Sequence, residues 1–143
     1  MTADISKVVK DTGLSHIAFI MDGNGRWATA KGLPREAGHS VGVKTFKKTV
    51  SRCRDYGIQT VTTYAFSTEN WKRPENEIRE IMRLLDTYIK EAEDDNEKNR
   101  IRYIFLGDKS RLDPRLQEKC SYLENLTQNN PLTLNIALNY GGR

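Results

Sequence analysis

The sequence predicts an α/β fold, a mostly parallel sheet of about four strands with helices on both faces. Three observations carry this reading. Residues His16 to Met21 put five apolar residues behind one histidine and lead straight into Asp22-Gly23-Asn24-Gly25-Arg26, as a buried parallel strand does when it ends at a ligand edge. Strand-like and helix-like segments then alternate along the chain. A second strand, Ile58 to Phe66, ends in another polar cluster, Ser67 to Arg73, one βα unit later, so both loops are expected at one crevice.

At 143 residues the chain suits one domain, and 37% hydrophobic with 29% charged residues describes a polar globular protein. The net charge of +4 and the pI near 9.1 suit an anionic ligand or a membrane surface. Nucleic acid is excluded as the expected partner, because basic residues alternate with acids in every helical segment and no recognition motif is present. Cys53 and Cys120 stand alone and read as core-face helix thiols in a reducing cytosol. His16 and His39 are too few for a zinc site on their own. No apolar run approaches the ~18 residues of a membrane span, so a cytoplasmic location with at most peripheral membrane contact is expected.

In order, residues 1–14 read as a flexible N-terminal arm or a short helix, and 15–143 as the domain. After the first strand a short helix is predicted from Arg26 toward Lys31, stopped by Gly32 before Pro34. Val43, Phe46, Val50 and Cys53 share one face of a helix ending before Gly57. Arg35 and His39, four apart at its start, lie near the first loop; taken alone they read as an exposed cation and a solvent-facing histidine. Pro74 opens a long helix with Glu75 and Glu77 in its first turn, where the helix dipole favours acids. Its stripe of Ile78, Ile81, Met82, Leu85, Tyr88 and Ile89 reads by default as core. Residues Glu91 to Arg100 read as a solvated helix end and turn, and Ile101 to Leu106 as a third strand closed by Gly107. Asp113 caps and Pro114 starts a helix with Leu116, Cys120 and Leu123 inward, broken at Asn129 to Pro131. Leu132 to Leu138 is the fourth strand, followed by Asn-Tyr-Gly-Gly-Arg.

Chemistry concentrates in the two loops. Gly23 and Gly25 permit close backbone approach to a phosphate, and Arg26 adds a fork of donors. Asp22 would repel that phosphate unless a cation lay between them, and Mg²⁺ commonly takes one or two carboxylates plus substrate phosphates. The residues thus suggest a Mg²⁺-assisted diphosphate site, against the plainer alternative of a glycine turn with Asp22 as helix cap. In the second loop Ser67 and Asn70 offer hydrogen bonds, Trp71 an apolar wall and Arg73 a charged fork. The plainer alternatives are a core aromatic at Trp71 and a helix-start acid at Glu69.

Asp22-Gly-Asn-Gly-Arg-Trp-Ala28 and Ser67-Thr-Glu-Asn-Trp-Lys-Arg-Pro74 together closely resemble the cis-prenyltransferases, the undecaprenyl diphosphate synthase family, over about Ser15 to Arg143. The resemblance implies a truncated undecaprenyl diphosphate synthase-like fold and condensation of isopentenyl diphosphate with an allylic diphosphate of the farnesyl type. It implies Asp22 as Mg²⁺ ligand and catalytic residue. Gly23, Asn24, Gly25, Arg26, Trp27, Arg35 and His39 would hold the allylic diphosphate. Ser67, Thr68, Glu69, Trp71 and Arg73 would hold the second substrate, with Asn70 as the family's proton acceptor. A neutral amide is a poor base, so Asn70 is expected to orient a water or diphosphate oxygen that takes the proton. The long helix would wall the tunnel for the growing chain. A homodimer, with peripheral membrane contact through the lipid product, is implied as well. Family members continue past Asn-Tyr-Gly-Gly-Arg to a further diphosphate clamp and a metal-binding Glu. The chain is therefore expected to be a truncated product or fragment, weakly active or inactive alone. Two rivals are a non-catalytic interaction subunit and a nucleotide-phosphate protein; the second lacks G-x-x-x-x-G-K-[ST] and G-x-G-x-x-G.

Overall fold

The computed structural model describes residues 4–141; Met1 to Ala3 of the N-terminal segment, and Gly142 and Arg143 of the closing run, lie outside them. Four parallel strands, β1 (His16–Ile20), β2 (Thr60–Ser67), β3 (Ile101–Leu106) and β4 (Leu132–Tyr140), lie in the order β1-β2-β4-β3. Around them run α1 (Ile5–Thr12), α2 (Asn24–Ala30), α3 (Arg35–Asp55), α4 (Glu75–Asp94), α5 (Asn96–Asn99) and α6 (Pro114–Thr127). Short 3-10 turns cover Thr68–Lys72 and Lys109–Arg111.

Local chemistry fixes most boundaries. Gly57, in the left-handed region at φ 87°, follows α3. The Asp113 carboxylate accepts from the Arg115 amide at 2.8 Å, and Pro114 takes the first helical position, so α6 starts where these residue types place it. Phe46, Val50 and Cys53 of α3, Tyr88, Ile89 and Ala92 of α4, and Leu116, Cys120 and Leu123 of α6 close one core with Val61, Tyr103, Leu134 and Ile136. The helix α6 also guards the free edge of β3: Thr127 Oγ1 accepts from the Tyr103 amide at 3.0 Å, and Glu124 from the Phe105 amide at 3.1 Å.

Several expectations change. Among the described residues the long helices α3, α4 and α6 all bury their apolar faces in that single core, on one face of the sheet. The opposite face carries His16, Ala18, Ile20, Thr62, Asn135 and Arg102, all exposed or half-exposed. It mixes polar residues with apolar ones such as Ile20, Ile104 and Leu106, and its polar side chains bond across the strands: His16 Nε2 lies 2.7 Å from Thr62 Oγ1, which accepts from Asn135 at 3.1 Å. The first strand is accordingly an edge strand open on one face, with Ile20 82% exposed, and not a strand buried on both faces. The first short helix begins at Asn24, two residues before the expected Arg26, and takes in the second loop glycine. The segment after Glu91 is less solvated than expected, because α4 runs on to Asp94 and buries Ala92.

Candidate functional site

The first loop leaves β1 at the carboxyl edge and turns at Gly23, whose φ of 83° would strain any side chain. No side chain caps the start of α2 there. Asp22 and Arg26 pair at 3.4 Å at the mouth, with their side chains 73% and 74% exposed. Helix α3 approaches this loop at closest range through Gly38: a Cβ there would stand 1.9 Å from the Asn24 carbonyl oxygen. That contact brings the start of α3, with Arg35 and His39, beside the loop, and the Arg35 guanidinium packs against Gly25.

Two arginines and a histidine of the site share an anchor that sequence reasoning missed. Glu77, in the first turn of α4 with its side chain only 5% exposed, receives His39 Nε2 at 2.9 Å, Arg73 Nη1 at 3.0 Å and Arg35 Nη2 at 3.6 Å, all on Oε1. A carboxylate only accepts, so His39 carries its hydrogen on Nε2 and turns Nδ1 elsewhere. Burial alone would raise the Glu77 pKa; the His39 hydrogen bond and the charges of Arg35 and Arg73 outweigh it and hold the carboxyl below the usual glutamate value. At sequence level Glu77 is fully explained as a first-turn acid, and nothing local signals that residues 38 and 42 positions earlier converge on it.

In the second loop the Asn70 side-chain oxygen accepts from the Ser67 amide at 3.0 Å, which leaves its NH₂ free to donate. Trp71 is held from three sides. Its indole N–H donates to Asn139 Oδ1 at 2.7 Å, Phe66 meets it edge-on at 4.8 Å between centroids, and the Arg111 guanidinium lies 4.2 Å over the ring. Asn139, in the left-handed region at φ 50°, also donates to the Asp108 carbonyl at 2.8 Å. Neither Asn139 nor Arg111 was a sequence candidate.

Both loops face one cavity of about 410 Å³. Its mouth is lined by Asp22, Gly23, Asn24, Gly25, Arg26, Arg35, His39, Ser67, Asn70 and Arg73. Its interior is apolar, with Phe46, Ile81, Met82, Leu85, Tyr88, Ile136 and Leu138. The structure thus divides the α4 stripe: four of its members line the cavity, while Ile78 and Ile89 pack in the core. Trp27, Thr68, Glu69 and Trp71 lie outside the lining; Trp27 is 41% exposed under Lys31, and Thr68 and Glu69 are exposed. Asp22 is the one acid among the lining residues. Among the described residues no three His, Cys, Asp or Glu side chains gather as a metal cage would need.

The prenyltransferase family model, that of undecaprenyl diphosphate synthase, matches residues 20–143. An isoprenyl transferase of Clostridium perfringens is 45% identical over 137 residues, which are 95% of this chain and 54% of that protein. A farnesyl-diphosphate-specific ditrans,polycis-undecaprenyl-diphosphate synthase of Vibrio cholerae is 49% identical over 129 residues, 90% of this chain and 52% of that protein. Among solved structures, lavandulyl diphosphate synthase from Lavandula x intermedia in complex with dimethylallyl diphosphate superposes with a TM-score of 0.85 at 34% identity, covering 90% of this chain and 56% of that one. The chain spans about half the length of the curated relatives it matches. With four parallel strands, two loops on one cavity and a match over residues 20–143, the chain belongs to the prenyltransferase family of the undecaprenyl diphosphate synthases.

Proposed function

We propose that this chain carries the allylic-diphosphate site of a cis-prenyltransferase, which condenses isopentenyl diphosphate with an allylic diphosphate of the farnesyl type to give a polyprenyl diphosphate. One observation carries the proposal: a single cavity has a cationic polar mouth and an apolar interior, as a ligand with a diphosphate head and a hydrocarbon tail requires. The relative solved with dimethylallyl diphosphate supports the same ligand class.

In this reading Arg26, Arg35 and His39, with Gly23 to Gly25, hold the allylic diphosphate and stabilise its charge as it leaves. The allylic C–O bond breaks, the alkene of isopentenyl diphosphate attacks the resulting cation, and a proton is lost to form the new double bond. The apolar interior of Phe46, Ile81, Met82, Leu85 and Tyr88 takes the hydrocarbon and keeps water from the cation. Ser67, Asn70 and Arg73 position the second substrate. Asn70 does so through its free NH₂, because its oxygen is held by the Ser67 amide. That arrangement favours an orienting role, with a diphosphate oxygen taking the proton. Trp71, Thr68 and Glu69 would shape the loop from outside the lining, and Trp27 would do the same for the first loop.

Asp22 fits Mg²⁺ shared with substrate phosphates and does not fit a cage made by protein alone, since it is exposed and the one lining acid. Bound there, the ion would neutralise charge on the leaving diphosphate. The full enzyme would act as a homodimer in the cytoplasm, with peripheral membrane contact through its lipid product.

Incorporation of labelled isopentenyl diphosphate into extractable lipid by a complete domain carrying these residues, with farnesyl diphosphate and Mg²⁺, tests the proposal. The expected product carries a new cis double bond, and Asp22→Ala abolishes its formation while leaving much of the allylic binding. Turnover that survives Asp22→Ala would contradict the role of Asp22. Binding without any turnover in a complete domain would favour the non-catalytic subunit.

A further inference from the structure

We infer that Glu77 is a positioning residue for the diphosphate site: from behind the cavity wall its carboxylate gathers Arg35, His39 and Arg73 and aims them into the mouth. The inference rests on reading that mouth as a diphosphate site. Glu77 does not line the cavity, whereas all three of its partners do. The partners come from two places in the chain, the first turns of α3 and Arg73 two residues before α4, so one buried oxygen ties together groups from two separate segments.

The two guanidinium groups facing one space repel each other, and side chains as long as arginine would otherwise spread into solvent. Arg35 is 48% exposed and Arg73 34%, against 14% for His39, so the arginines have room to leave. A buried counter-charge removes that tendency and leaves a net positive mouth, because two arginines oppose one carboxylate. The depressed Glu77 pKa fits a group that stays charged in place. The two helix starts are also joined apart from Glu77, since Asn76 donates to Glu36 at 3.1 Å, a contact that does not involve the Glu77 side chain.

The sign of the effect separates positioning from plain electrostatics. Removing a negative charge beside an anion site should tighten anion binding if repulsion were all that mattered. Positioning demands the opposite. Calorimetric titration of the chain with inorganic diphosphate is expected to show binding about tenfold weaker for Glu77→Gln, the loss that follows disruption of a charged hydrogen-bond cluster. In an Arg73→Gln background the same change should cost clearly less, because Glu77 acts through that arginine. Unchanged or tighter binding by Glu77→Gln overturns the inference.

Nitrogen relaxation of the Arg73 guanidinium gives a ligand-free readout: ordered in the native chain and mobile in Glu77→Gln if the inference holds, unchanged if it fails. If the native chain binds no diphosphate, the functional reading falls, and the relaxation result still decides whether Glu77 positions the arginines. Should Glu77→Gln fail to fold, Glu77→Asp keeps the charge but shortens the reach, and must also loosen Arg73.

Discussion

Gly38 is the residue on which the first loop and α3 depend for their closeness. A methyl group there meets the Asn24 carbonyl oxygen at 1.9 Å, a backbone atom that can move only if α2 moves. Gly38→Ala is therefore expected to cost about 1–3 kcal/mol, as overpacking does, and to weaken diphosphate binding by displacing the loop. At Gly42 the obstacle at 2.4 Å is the Asn24 side-chain amide, which can rotate away, so Gly42→Ala should cost less. Urea unfolding of the two variants measures the difference, and equal costs would contradict the geometry. The loop itself was legible because Asp22, two glycines and Arg26 have few other uses at a strand end. Gly38 and Glu77 were not legible: each fits its helix locally, and each does its work against residues distant in sequence.

At the scale of the element, the 3-10 turn at Thr68–Lys72 presents Asn70 and is fixed by the Trp71–Asn139–Asp108 chain of hydrogen bonds. Trp71 thus sits nearer to the core-aromatic alternative than to a cavity wall. Asn139→Ala loses both bonds and places an alanine at φ 50°, a region that costs L-residues about 1–2 kcal/mol. Asn139→Gly loses the bonds without that strain and is expected to be the milder variant by thermal melting. If alanine were as well tolerated as glycine, the positive φ would carry no weight. Elements with strong punctuation read well from sequence: α6 has Asp113 and Pro114 at its start, and β3 runs from Ile101 to Leu106 as predicted. The start of α2 read late because Asn24 and Gly25 look like loop, although α3 packs on them. The exposed face of β1 also escaped, because an apolar run does not reveal which of its faces is covered.

Across the whole molecule, the Glu77 cluster joins α3 to α4 and makes stability depend on pH. A carboxyl with a folded pKa below its unfolded value stabilises above the unfolded value, and that contribution is lost as pH falls through the folded one. The groups that face it are Arg35 and His39 from α3 and Arg73 before α4. The native chain should accordingly melt higher than Glu77→Gln near neutral pH, and the gap should shrink as acid protonates Glu77. A gap independent of pH would mean that the carboxylate's charge does not hold the helices.

The proposed function requires one cavity to take both a charged head and an apolar tail. The most direct measurement is calorimetric titration of a non-ionising farnesyl diphosphate analogue into the folded chain, with and without Mg²⁺, beside inorganic diphosphate. The analogue is expected to bind more tightly than diphosphate alone, because its tail fills the space among Phe46, Ile81, Met82, Leu85 and Tyr88, and Mg²⁺ is expected to strengthen it through Asp22. Equal affinity for the analogue and bare diphosphate would mean that the apolar space does not serve the same ligand, and would contradict the proposed function.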